Sequence, residues 1–148
     1  MAYGLKPAVL FSAMGMFLSA IAQPMWAAET EWLNIDAEQI ASYEYQGKVI
    51  IISNILLREV SSRHNDELNV LEFKFYAKNK IEDKIYFDVM LIAYDSEDNI
   101  VFVSTARPDF FGITSYAKGL IETSQYIVPG SLDKVDRFQL KVIGVRKE

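Results

Sequence analysis

From Leu71 to Asp95 apolar and polar residues alternate in two runs. Leu71, Phe73, Phe75 and Ala77 share one phase of the first run, and Glu72, Lys74, Tyr76 and Lys78 share the other. In the second, Ile85, Phe87, Val89, Leu91 and Ala93 stand against Tyr86, Asp88, Met90, Ile92 and Tyr94, so its outer side is only partly polar. A period of two belongs to a strand with one face in a core. The polar stretch from Asn79 to Lys84 predicts a hairpin between the runs, without the Asn-Gly or Asp-Gly pair that would fix a two-residue turn. An antiparallel pair with one apolar face needs a second layer to cover it.

The flanking sequence supplies that layer. Val49-Ile-Ile-Ile52 has branched or apolar side chains throughout and predicts a strand, with Asn54 to Val60 continuing it past a bulge and Ser61 to Glu67 forming a solvated loop. Asp95 to Asn99 is a turn of short polar residues, Ile100 to Thr105 a strand ended by Arg107-Pro108, and Leu120 to Val128 another strand before Pro129-Gly130. Val135 to Val145 closes the chain with Phe138, Leu140 and Val142 in one phase. About six or seven strands with turn signals at intervals of about 8–12 residues predict an all-β fold, a single antiparallel β-sandwich over residues 48–148. Residues 29–47 are expected to pack on it. There Asp36 could start a short helix, while Trp32-Leu-Asn-Ile35 equally suits an edge strand. The outer stripe of Tyr86, Met90, Ile92 and Tyr94 is a second candidate interface, but Trp32, Leu33 and Ile35 are expected to fold over it.

The first 28 residues read differently. Lys6 is the only charge before Glu29, and the apolar run Pro7 to Ala22 ends in small residues, which is the anatomy of a secretory signal peptide. Cleavage is expected after Ala22 or Ala28; the competing reading is an uncleaved anchor, since about 17 apolar residues just span a bilayer. Removing 28 of the 148 residues leaves 120, the length of one domain. The whole chain carries 15 basic and 20 acidic residues, a net charge of −5, and loss of Lys6 makes it −6. Such a surface repels phosphates and anionic lipid heads, so neither nucleic acid nor insertion into membrane after cleavage is expected. The chain has no cysteine, hence no disulfide, thiolate metal site or lipidated cysteine, and no Asn-x-Ser/Thr acceptor. A periplasmic or secreted location is the expectation.

Leu91-Ile-Ala-Tyr-Asp95, the polar turn before Ile100-Val-Phe-Val103, Asn79 after an alternating strand, and Val128-Pro-Gly130 together resemble the FxLYD-type immunoglobulin-like modules of bacterial envelope proteins. The resemblance runs from about residue 69 to 145 and implies an immunoglobulin-like sandwich, an exported location and no shared catalytic residues. The glycine of that pattern after the aspartate is absent here, and the connection Arg107 to Gly119 is longer.

No residue set demands a chemistry. His64 is the only histidine and stands in the polar loop Arg63-His-Asn-Asp-Glu67, with no nucleophile elbow anywhere. Asp95, Glu97 and Asn99 alternate as in a calcium loop, but Ile100 stands where the loop needs glycine and Ala106 where it needs a bidentate glutamate. Glu82, Asp83 and Asp88 show no sign of pairing across a cleft, and the scattered glycines form no phosphate loop. No catalytic residue, metal or cofactor is therefore expected. The segment Pro108 to Tyr116 holds Phe110, Phe111 and Tyr116, and two readings compete for it. The phenylalanines either cap an open end of the core or anchor a partner, in which case Phe110, Phe111 and Tyr116 are the binding residues. The expected function is accordingly a non-catalytic exported module that binds another cell-envelope protein. The alternative is a small-ligand carrier with a pocket at the sandwich end.

Overall fold

The computed structural model describes residues 31–148, so the expected signal peptide and its cleavage sites lie outside the described residues. Among the described residues eight strands form two antiparallel four-stranded sheets. The first is ordered β1 (Leu33–Asp36), β8 (Arg137–Lys147), β5 (Ile85–Tyr94), β6 (Ile100–Ala106). The second is ordered β2 (Tyr45–Gln46), β3 (Ile50–Ser61), β4 (Asn69–Asn79), β7 (Lys118–Ile127). Between them lie Phe73, Phe75, Ile50, Ile52 and Leu71 from one side and Phe138, Leu140, Val142, Leu91 and Val89 from the other, all buried. The sandwich is thus as the alternation implies, and no helix among the described residues is long and apolar enough to cross a membrane.

The expected hairpin is corrected. β4 pairs with β3 and β7, and β5 with β6 and β8, so the two central runs lie in different sheets. Their apolar phases face each other across the core instead of lying side by side. The reason lies at Asn79, which continues the inward phase of Leu71 to Ala77 and is fully buried. Its side-chain amide donates to the carbonyls of Asp83 at 2.7 Å, Thr114 at 3.0 Å and Ile113 at 3.2 Å, and its oxygen accepts the Ile81 N–H at 3.0 Å. A polar residue that binds backbone in place of side chains turns the chain out of one sheet and into the other.

Both elements form at the start of the described residues: β1 is an edge strand on β8, and Ala37–Ser42 is a 3-10 helical segment that carries Ile40 into the core, though the Asp36 side chain makes no capping bond. The expected cover over the outer stripe is not there. β1 takes the far side of β8 because Ile35 is drawn into the core opposite Phe138, which leaves Trp32 exposed with Lys141 Nζ 5.3 Å from its ring centroid. The stripe is half-covered instead by the long side chains of β8: Lys141 is paired with Met90, Gln139 with Ile92, and the Arg137 guanidinium sits 4.0 Å from the Tyr94 ring. Such stems shield apolar surface while their charges stay in water.

β3 bulges between Ser53 and Leu56, with Asn54 at φ 54°, a conformation asparagine tolerates better than most residues. On the opposite lateral side, β6 and β7 are the outer strands of the two sheets, and the Gln125 side chain donates to the Val103 carbonyl at 2.9 Å. At the end holding the β7–β8 connection, the Glu59 carboxylate accepts the N–H groups of Gly130 at 2.6 Å and Leu132 at 3.0 Å, and the Asn69 amide at 2.7 Å.

Candidate functional site

The other end of the sandwich carries the β6–β7 connection, residues 107–117, and its local bonds explain its shape. Asp109 accepts the Phe111 N–H through its side chain and the Gly112 N–H through its carbonyl, each at 3.1 Å, which closes a tight turn after Pro108. Gly112 stands at φ +67°, and a Cβ there would lie 2.7 Å from the Ile85 carbonyl oxygen and 2.9 Å from the Tyr86 ring. Only glycine fits. Ile113 then exchanges two backbone bonds with Ile85, at 2.9 and 3.0 Å, and is buried; Asn79 holds the carbonyls of Ile113 and Thr114.

Between these anchors Phe110 is 92% exposed and Phe111 73% exposed, with ring centroids 6.1 Å apart and planes at 88°. Of the two readings of this segment, the core cap is corrected: Ile113 fills the end of the core, and the turn at Asp109 lifts both rings off it. Tyr116 is 62% exposed at φ 53°, past Ile113, where its N–H reaches the Ile81 carbonyl at 3.2 Å. The structure therefore displays all three expected binding residues on one loop. Only Phe110 and Phe111 are in ring contact with each other.

Beside Phe110 the surface sinks into an open depression of about 880 Å³, lined among others by Tyr86, Asp88, Arg107, Pro108, Gly144 and Arg146. A bulge makes it. The β5–β8 register jumps from Tyr86↔Arg146 to Asp88↔Ile143, and Gly144 lies in the gap at φ +66° with open space around its Cβ position. Bulges of this kind re-aim the side chains that follow. Here the Arg146 guanidinium comes to 4.9 Å from the Tyr86 ring, and Lys84 Nζ to 5.6 Å. The Tyr86 hydroxyl donates to Glu148 Oε2 at 2.8 Å, and Lys84 Nζ meets the same oxygen at 2.9 Å. Lys84, and after it Tyr86, hold the Glu148 carboxyl below its ordinary range, and Glu148 in turn raises the Lys84 ammonium. Arg107 pairs with Asp88 at 3.2 Å. Tyr86 is thus shared by the aromatic loop, through Gly112, and the tail of β8.

The remaining candidates are occupied by local structure. The Asp95 side chain accepts the N–H groups of Glu97 and Asn99, each at 2.9 Å, and the Asn99 amide at 3.1 Å; these bonds, from Asn99 first, lower its pKa. His64 sits in a loop where the Ser62 hydroxyl accepts its N–H at 3.2 Å. No group of three or more His, Asp or Glu side chains that could hold a metal ion occurs among the described residues. No protein-family model, curated protein or solved structure matches the chain. Sequence reasoning missed Arg146 and placed Tyr86 only in the outer stripe, since the two meet only through the pairing of β5 with β8. The one sign on offer was Gly144 inside a strand pattern, which marks a bulge.

Proposed function

We propose that the chain is an exported, non-catalytic β-sandwich module that binds another cell-envelope protein through the loop bearing Phe110 and Phe111. The observation that carries this is the exposure of two adjacent phenylalanines on a loop whose backbone is pinned on both sides by Asp109, Gly112, Ile113 and Asn79. Burying each ring in a partner contributes about 1.5–3 kcal/mol, and a pinned loop loses little freedom on binding. The apolar leader after Lys6 and the resemblance to FxLYD-type immunoglobulin-like modules support export to the periplasm or beyond. The alternative, a small-ligand carrier, draws on the depression beside Phe110, but that depression is open to solvent rather than roofed by the aromatic loop.

The test combines folding with capture. A Phe110→Ser, Phe111→Ser double variant should melt within about 2 °C of the parent, because no core contact is lost, while a photo-crosslinker at position 111 in intact cells should trap a discrete partner that a crosslinker at position 64 does not. Melting many degrees lower, or the same partner trapped from both positions, would end this reading. N-terminal sequencing should find Gln23 or Glu29 on soluble envelope material; Met1 or Ala2 on membrane-bound protein would make residues 7–22 an anchor.

A further inference from the structure

Every second residue of β7 turns its backbone donors and acceptors away from its sheet. The β4–β7 register runs without a shift from Asn69↔Ile127 to Lys78↔Lys118, and just beyond it the Asn79 N–H bonds the Ala117 carbonyl at 2.9 Å. Bonded and open pairs alternate along an antiparallel ladder. Gly119, Ile121 and Thr123 therefore bond β4, while Lys118, Leu120, Glu122 and Ser124 direct N–H and C=O outward. The far side of β4 agrees, since the Lys80 N–H bonds the Val49 carbonyl at 2.8 Å and so places the even-numbered residues of β4 toward β3. In its sheet β7 has no neighbour but β4, and those four residues make no backbone bond to another element among the described residues. We infer that an extended segment of the partner protein joins β7 as an added strand along Lys118 to Ser124, at the foot of the aromatic loop. This rests on the aromatic-loop reading for the partner and adds the form in which its chain arrives.

Charged side chains commonly guard an edge strand. Here both are turned back onto β4: Lys118 Nζ lies 4.2 Å from the Tyr76 ring centroid, and Glu122 meets Lys74 at 3.2 Å. Beside the edge lies a depression of about 390 Å³, between Pro108 and Asp109 of the aromatic loop and Gly119 to Glu122 of β7, with Ile113 and Ile121 in its lining. Gly119 is not required by the fold. Its backbone is not left-handed, and a Cβ there would meet only Ile113, at an ordinary 3.6 Å. A glycine within a strand marks a place where another backbone approaches closely. Outward N–H and C=O groups in alternation ask for a peptide backbone, and the apolar lining asks for a side chain of the added strand that points inward. The site is short, because past Ser124 the Gln125 side chain crosses to the Val103 carbonyl at 2.9 Å.

The probe is the capped pentapeptide acetyl-Thr-Val-Thr-Val-Thr-amide, titrated into the isotopically labelled exported chain and followed by amide chemical shifts and hydrogen exchange. Before addition the amides of Leu120, Glu122 and Ser124 should exchange at least about tenfold faster than those of Gly119, Ile121 and Thr123, and saturation with peptide should slow them at least about fivefold. Two further versions carry N-methyl groups, on the threonines or on the valines. Only one of them should bind, because one phase of an added strand faces β7. Leu120→Pro removes an N–H that the fold does not use, so the chain should stay folded and bind the pentapeptide at least about tenfold more weakly. Exchange without that alternation, no saturable shift over residues 118–124, binding by both or neither of the methylated versions, or undiminished binding by a folded Leu120→Pro variant would each overturn the inference. If Leu120→Pro unfolds, the methylated peptides decide. Should the pentapeptide fail while the double serine variant loses the partner trapped from position 111, the strand site falls and the aromatic loop stands. Should it bind as described while trapping survives the serine variant, the loop reading has failed and the edge of β7 stands.

Discussion

Replacing Asn79 by alanine is the most informative single change outside the site, because one side chain holds the corner between the sheets and the loop that displays the phenylalanines. It makes three donor contacts and accepts one N–H, all at 2.7–3.2 Å. Not all of those partners are stranded by its loss. The Ile113 carbonyl keeps the Ile85 N–H and the Thr114 carbonyl keeps the Ala117 N–H, so the Ile81 N–H and the Asp83 carbonyl are the groups left without a bond. Counting about 1 kcal/mol for each lost bond and the upper part of the cost as falling on the two stranded groups, Asn79→Ala should cost about 3–4 kcal/mol. For a domain of this size that is a fall of roughly 10–20 °C in melting temperature. Asn79→Asp separates the hydrogen bonds from the packing. A carboxylate there would face three carbonyl oxygens, so at neutral pH the aspartate variant should be less stable than the alanine variant, and the gap should close as acid protonates it. Thermal melts by circular dichroism from pH 7 to pH 4 measure both. An alanine variant within 1 kcal/mol of the parent, or an aspartate variant as stable as asparagine at pH 7, would show that Asn79 is not what holds the corner.

Phe87 is 3% exposed in the middle of β5, so Phe87→Ala should cost about 3–5 kcal/mol in denaturant unfolding. Lys74, on the outer face of β4 between Glu72 at 3.7 Å and Glu122 at 3.2 Å, should cost no more than about 1 kcal/mol as alanine, and equal midpoints for the two variants would mean the strand phase is wrong. Burial pushes the Glu59 carboxyl up, but its bonds from Leu132, Asn69 and Gly130 outweigh that and leave it below its ordinary 4.5. Its contribution is therefore full above that value and lost as pH falls below it. Glu59→Gln should thus lower the melting temperature at pH 7 and approach the parent under acid, whereas parallel profiles would contradict the assignment. Ser104 is 2% exposed and its hydroxyl has no partner among the described residues, so Ser104→Ala should be neutral or stabilise by about 1 kcal/mol. A loss of more than that would reveal a bond made by Oγ.

The strands were legible because a strand with one buried face writes its phase into the sequence, and β4 to β8 fall close to where alternation places them. Partnership is not written there. Two runs with apolar inner faces read alike whether they lie side by side or face each other, and the difference was carried by Asn79, a polar residue in the inward phase of β4. The outer stripe of β5 misled in the same way: its cover comes from Arg137, Gln139 and Lys141 on β8, polar by type and apolar along their stems. At the site, the aromatic loop could be found from composition and its bounding proline and glycine. That Phe110 and Phe111 stand outside the core depends on Ile113 reaching Ile85, a contact between distant parts of the chain.

The bond from Gln125 to the Val103 carbonyl has a consequence for how the protein behaves at high concentration. Long unpaired strands are templates on which further chains add, and a sandwich with open sides is a seed for fibrils. Here the lateral side between β6 and β7 is bridged by a glutamine amide, and on the other side the terminal strands β1 and β2 are only four and two residues long. Growth by strand addition is thereby hindered on the side between β6 and β7. A solution of this protein should remain free of cross-β assembly, and a Gln125→Val variant, which frees the Val103 carbonyl and adds a branched side chain, should shorten the lag before fibrils form under agitation.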